Sequence, residues 1–151
     1  MPFGAPFPGG GQVTGQFTDS SGGTLSFTAS FGTAATNRSI VAIVTGSSAS
    51  AISGVTIAGI SATSVIANSD STNRVSMWIA AVPTGTTGNI SFGGILAANA
   101  GCMVYAIYGN RTQAADATAV TNSNGGAMTM VASSAAFVIA AGMSNINANS
   151  C

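Results

Sequence analysis

Residues 24–31 read Thr24-Leu25-Ser26-Phe27-Thr28-Ala29-Ser30-Phe31. Apolar and hydroxyl side chains alternate without a break. Leu25, Phe27, Ala29 and Phe31 share one face, and Thr24, Ser26, Thr28 and Ser30 share the other. A period of two puts successive side chains on opposite sides of an extended chain, so this is a strand with one dry and one wet face. The next run, Ser39 to Thr45, contains Ile40-Val41-Ala42-Ile43-Val44. It is apolar on both faces and rich in β-branched residues, as a central strand requires.

Further strands follow along the chain. Ser53 to Ile57 and Ser61 to Ile66 flank Ala58-Gly59-Ile60, which predicts a tight hairpin. The polar residues 68–73 form a loop. Arg74 to Val82 is a strand with Trp78 at its middle, and residues 83–88 (Pro-Thr-Gly-Thr-Thr-Gly) are a turn. Asn89 to Phe92 is a short strand. Gly101 to Tyr108 is apolar on both faces, with Met103, Tyr105 and Ile107 opposite Cys102, Val104, Ala106 and Tyr108. The last strands are expected at 118–121, 127–132 and 135–141. About ten short strands with turn signals every 8–12 residues predict an all-β fold, an antiparallel β-sandwich of jelly-roll or immunoglobulin-like type.

The chain has 151 residues, which suits one domain. Residues 1–11, rich in Pro, Gly and Phe and without periodicity, read as an extended arm, and residues 12–151 as the single sandwich domain. Within the arm, Pro2, Phe3, Pro6, Phe7 and Pro8 are the candidate partner-binding residues. Phe3 and Phe7 suit docking on a partner and capping of the domain's own core equally well.

Charge narrows the function classes. Charged residues make up 4% of the chain, against about 25% in an average soluble domain. They are Asp19, Arg38, Asp70, Arg74, Arg111 and Asp116, with no Lys, Glu or His. Three cations cannot neutralise a nucleic-acid backbone, so no nucleic-acid partner is expected. No membrane association is expected either: the longest apolar stretch, Ile95 to Tyr108, is broken by Asn99 and falls short of the ~20 residues a spanning helix needs. Residues 1–8 have neither a cationic nor an apolar region of signal-peptide type. A chain with so little charge is poorly protected against association, which points to a life within an assembly, as a homo-oligomer or beside other proteins.

The same scarcity argues against catalysis. General acid–base chemistry would fall to Asp19, Asp70, Asp116, Tyr105, Tyr108 and the cysteines. No Ser nucleophile has a His base, and no phosphate loop exists without a Lys. No enzyme activity and no cofactor are therefore expected. Asp19-Ser20-Ser21 and Asp70-Ser71-Thr72-Asn73 could supply oxygen ligands to calcium, but polar turns account for them better. Cys102 reads as a small core residue, and Cys151 is too distant in sequence for pairing to be judged. Trp78, between Met77 and Ile79, reads as core, with a sugar-binding platform shared with the tyrosines as the alternative. The triplet Thr-Asn-Arg occurs at 36–38 and 72–74, each time before a strand. It reads as a structural rim marker, with a paired binding role as the alternative.

One longer pattern is more specific. It comprises Arg38 to Val44, the hairpin Ile52-Ser53-Gly54-Val55-Thr56-Ile57-Ala58-Gly59-Ile60-Ser61-Ala62-Thr63, the run Arg74 to Ile90 with Trp78-Ile79-Ala80-Ala81-Val82-Pro83-Thr84-Gly85-Thr86-Thr87-Gly88-Asn89 as its most specific part, and the strand Cys102-Met103-Val104-Tyr105-Ala106-Ile107-Tyr108-Gly109. This order resembles a family of small β-sandwich proteins encoded by tailed bacteriophages and prophages within virion structural modules. The resemblance spans roughly residues 24–142, and Ala58 stands where the family usually has Gly. Family members continue beyond the strand at 137–141 with further strands. The family carries no known catalytic residues to transfer. The resemblance implies a virion structural protein. The preferred form is a decoration or cement protein on the head surface, bound to the major capsid protein or other virion proteins through apolar contact and the N-terminal arm. The alternative is a tail or fibre module that recognises a host-surface glycan through loops 68–73 and 109–116. A secreted adhesin is a third reading, for which a signal peptide would be expected.

Overall fold

The computed structural model describes residues 12–18, 25–47, 52–69, 73–93 and 100–109. Nine strands lie among them: β1 (Gln12–Thr18), β2 (Leu25–Ser30), β3 (Arg38–Ser47), β4 (Gly54–Ile57), β5 (Ile60–Ser61), β6 (Thr63–Ser69), β7 (Asn73–Ala81), β8 (Thr87–Gly93) and β9 (Ala100–Tyr108). They form a five-stranded sheet in the order β1-β9-β3-β7-β6 and a four-stranded sheet in the order β2-β8-β4-β5. Every pairing among the described residues is antiparallel.

The two sheets make a β-sandwich because each contributes alternate apolar residues to one shared core. Phe27 and Ala29 from β2, Val55 and Ile57 from β4, and Ile90 and Phe92 from β8 meet Ile40, Ala42 and Val44 of β3 and Cys102, Val104 and Ala106 of β9. The Phe27 and Phe92 rings sit edge to face, with centroids 5.6 Å apart. The alternating strand behaves as its pattern predicts: Phe27, Ala29 and Phe31 are buried while Ser26, Thr28 and Ser30 are exposed. On the outer face of the four-stranded sheet, Ser26 and Ser91 share a hydrogen bond of 3.2 Å. The Thr28 hydroxyl donates to Asn89 Oδ1 at 2.8 Å.

β3 is the middle strand of the larger sheet. Its apolar residues of both parities are needed, because this sheet carries a second apolar cluster on its other face: Val41, Ile43, Met77, Ile79 and Ile107, all buried. The same holds for β9, where Met103, Tyr105 and Ile107 pack on that face and Cys102, Val104 and Ala106 on the shared core.

The structure corrects the sequence reading at three places. Residues 12–18 form β1, the edge strand beside β9, although no strand is expected there; the alternation of Val13, Gly15 and Phe17 was the available signal. The run Ser61 to Ile66 is not one strand. Ile60–Ser61 pairs with β4, and after Ala62 the chain passes to the other sheet as β6. Residues 68, 69 and 73 are not loop but strand, with Asn68 opposite Val75 and Ser69 opposite Arg74. The hairpin expected at Ala58-Gly59 is present. Both central residues have positive φ, 54° and 78°, as a two-residue hairpin turn of the right twist demands. The strands expected at 118–121, 127–132 and 135–141 lie outside the described residues.

Candidate functional site

Two features stand out from the regular sandwich, and both depend on how the chain moves between sheets. The first is a buried cation. Arg38 opens β3 and is 1% exposed. A guanidinium has five N–H donors in a fixed plane, and burying it demands a partner for each. All five are satisfied by main-chain carbonyls. Nε donates to Val82 O at 2.8 Å; Nη1 donates to Phe31 O and Gly32 O, each at 3.1 Å; Nη2 donates to Thr84 O at 2.8 Å and Gly85 O at 2.7 Å.

These carbonyls belong to the two connections that change sheet at this end, β2 to β3 and β7 to β8. Main-chain bonds complete the rim: Arg38 N to Ala35 O at 3.1 Å, Val82 N to Arg38 O at 3.2 Å and Gly109 N to Asn37 O at 3.0 Å. Tyr108 adds a phenol bond to Thr33 O at 2.8 Å. Gly85, with φ of 73°, turns its loop so that successive carbonyls point at the guanidinium. Arg38 is thus a staple. The Asp residues, Asp19, Asp70 and Asp116, all lie outside the described residues, and the carbonyl dipoles supply the electrostatic complement.

A paired role for the two Thr-Asn-Arg triplets is ruled out by register. Arg38 sits opposite Tyr108 at one end of the sheet, while Arg74 sits opposite Gly46, eight residues further along β3. At about 3.3 Å per residue, the two lie about 26 Å apart at opposite rims.

The second feature is a cleft of about 490 Å³, lined by Ser53, Gly54, Val55, Thr56, Ser61, Ala62, Trp78, Ser91, Phe92 and Gly93. The strand order explains it. The four-stranded sheet ends at β5, which is two residues long, so it does not extend over the neighbouring part of β7 that carries Trp78. Gly54 and Gly93 face each other across β4 and β8, and a side chain on Gly54 would meet nothing within 4 Å. Trp78 is half-buried against the shared core, as its mid-strand position predicts, and its indole Nε1 donates to Ser76 Oγ at 3.0 Å.

The aromatic residues do not assemble into one platform. Tyr105 packs on the opposite face of the larger sheet, Tyr108 belongs to the Arg38 rim, and only Trp78 of the three lines the cleft.

Cys102 is a free thiol, 1% exposed, within the shared core, and burial pushes its pKa up to about 12. It is a packing residue there. Pro2, Phe3, Pro6, Phe7 and Pro8 lie outside the described residues, as do residues 110–116 of the second loop and both aspartates of the calcium candidates. Among the described residues no group of three His, Cys, Asp or Glu side chains gathers, and no helix is long and apolar enough to cross a membrane. Scans against protein-family models, curated proteins and solved structures found no match to this chain.

Proposed function

We propose that this chain is a structural protein of a tailed-bacteriophage particle and that it decorates and cements the head shell, without catalytic activity. The observation that supports the reading best is the uncharged, hydroxyl-covered outer face of the four-stranded sheet. Its short side chains are already held by cross-strand bonds, so docking them costs little rotamer entropy. The sandwich behind that face is stapled at its rim by Arg38, and the Trp78–Asn89 run that carries the phage resemblance includes three of the carbonyls Arg38 holds. A stiff, neutral block that covers junctions between shell subunits needs these properties more than it needs a reactive group.

The source of apolar contact is narrower than composition suggests. Among the described residues Ile60, at the hairpin tip, is the large hydrophobic side chain left exposed, at 42%. The apolar share of the interface is therefore assigned to the arm, with Pro2, Phe3, Pro6, Phe7 and Pro8 docking on the major capsid protein or another copy of the chain. Arm residues lead directly into β1, an edge strand, which suits strand addition to a neighbour's sheet. Many copies held at once convert weak contacts into a lasting coat.

Copy number in purified particles, measured by quantitative mass spectrometry against the major shell protein, tests the reading. A count in the hundreds supports a place on the head lattice. A count between a few and a few dozen moves the protein to the tail, and absence removes it from the virion. Deletion of residues 1–11 should abolish particle binding and leave the thermal melt unchanged; normal binding by that variant would refute the arm's role.

A second reading, a tail or fibre module that binds a host-surface glycan, is favoured by the Trp78 cleft.

A further inference from the structure

We propose that residues 127–141 of this chain lie across the outer face of the five-stranded sheet as a third layer, which removes that face from the surfaces open to a partner. The face is apolar at its centre. Ile43 stands between Met103 and Met77 in one cross-strand row, and Val41 between Tyr105 and Ile79 in the next. Neighbours on one face of a sheet shield a side chain only from the sides, and an uncovered face meets water. Yet Ile43 is 0% exposed and Val41 2% within a single copy of the chain. None of the nine strands passes over them, since the four-stranded sheet packs on the opposite face. Their cover therefore comes from elsewhere in the same molecule.

Length and composition select the segment. The stretches 19–24, 48–51, 70–72 and 94–99 are short, and each has to join two strand ends. Residues 1–11 are long enough for one extended run only. The buried patch spans β9, β3 and β7, about 10 Å between the outer strand axes at ~4.8 Å per step, which is wider than one strand. β9 carries Ile107 on the patch itself, so the chain leaves the sheet at the patch's border, and residues 110–126 give it length to turn back. Residues 127–132 (Ala-Met-Thr-Met-Val-Ala) and 135–141 (Ala-Ala-Phe-Val-Ile-Ala-Ala) contain no charge and are joined by Ser133-Ser134. Extended, these runs reach about 20–23 Å, and the patch from Ser39 to Thr45 along β3 is about 20 Å long. Two runs side by side match it in both dimensions.

The experiment uses the full chain with a photoreactive aromatic on the face. Tyr105, half-buried there, is replaced by p-benzoylphenylalanine; Met103 is the second position if the first variant does not keep the parental melting curve. Irradiated samples are separated by size, and adducts are located by peptide mass spectrometry. The expected result is an adduct within residues 127–141 of the same molecule. An adduct to residues 1–11, a covalent dimer, or adducts confined to the sheet's own strands would each overturn the proposal. The parent chain supplies a test without substitution: peroxide should oxidise Met77, on the covered face, at least tenfold more slowly than free methionine. Equal rates would show the face bare and overturn the proposal as well.

Discussion

Replacing Arg38 by Lys keeps a cation at the sandwich rim and removes the planar fork, so it isolates the geometry from the charge. Arg38 serves five carbonyls at 2.7–3.1 Å, on residues 31, 32, 82, 84 and 85. An ammonium has three donors at a single point, so at least two carbonyls lose their partner. Each hydrogen bond to a charged group contributes about 1.5–3 kcal/mol. Thr84 and Gly85 are exposed residues whose carbonyls can turn to water, whereas the bonds to Phe31 O and Val82 O are buried. The net loss for Arg38→Lys is therefore about 2–4 kcal/mol, and for Arg38→Met about 3–5 kcal/mol, since the latter leaves all five carbonyls without a donor. Against a total stability of about 5–15 kcal/mol, either change is severe. Urea unfolding reads it directly: the midpoint should fall at an unchanged slope, and a loss of 3 kcal/mol should lower the melting temperature by about 6–12 °C. A midpoint for Arg38→Lys within about 1 kcal/mol of the parent would refute the staple, because a point charge would then serve as well as the fork.

Three further outcomes follow from single positions. Ala58→Gly should stabilise the protein by about 0.5–1 kcal/mol in the same urea assay, because Ala58 is held at φ 54° and a glycine adopts that conformation without the methyl penalty; a destabilised variant would show that the methyl contributes more by packing. Gly88→Ala should cost about 1–3 kcal/mol, since the new methyl would stand 2.5 Å from a Phe31 ring carbon and 3.2 Å from the Ala58 methyl. Burial raises the Cys102 thiol from 9.0 to about 12, so the unfolded chain loses that proton first. The Cys102 contribution is then complete below about pH 9 and declines by about 1.4 kcal/mol per pH unit as pH rises toward 12. Parallel urea curves for the parent and Cys102→Ala at rising pH measure it, and a constant difference between them would contradict the burial.

Of the two candidate sites, the sequence shows the residues without their relation. Trp78 is visible as an aromatic residue inside a strand, but its cleft neighbours come from the β4–β5 hairpin and from β8, brought beside it only when the sheets close. The Thr-Asn-Arg triplets look equivalent along the chain. Antiparallel register sends them to opposite rims and gives the first of them five partners, the farthest of them 47 residues away.

What sequence alone determines here is periodicity, because the pleat makes the side of a strand a local property. Alternation at residues 25–31 assigns one buried and one wet face, and the β-branched run at 39–45 requires cover on both faces, before any pairing is known. The tight hairpin at Ala58-Gly59 is legible for the same local reason. The sheet assignment of each strand is decided by tertiary structure. Ser61 and Thr63 stand two residues apart and belong to different sheets, since nothing in a period of two records which neighbour a strand will find. The role of Arg38 is decided there too: its carbonyl partners carry no side-chain identity, and only the closing of two crossings at one rim aims them at the guanidinium.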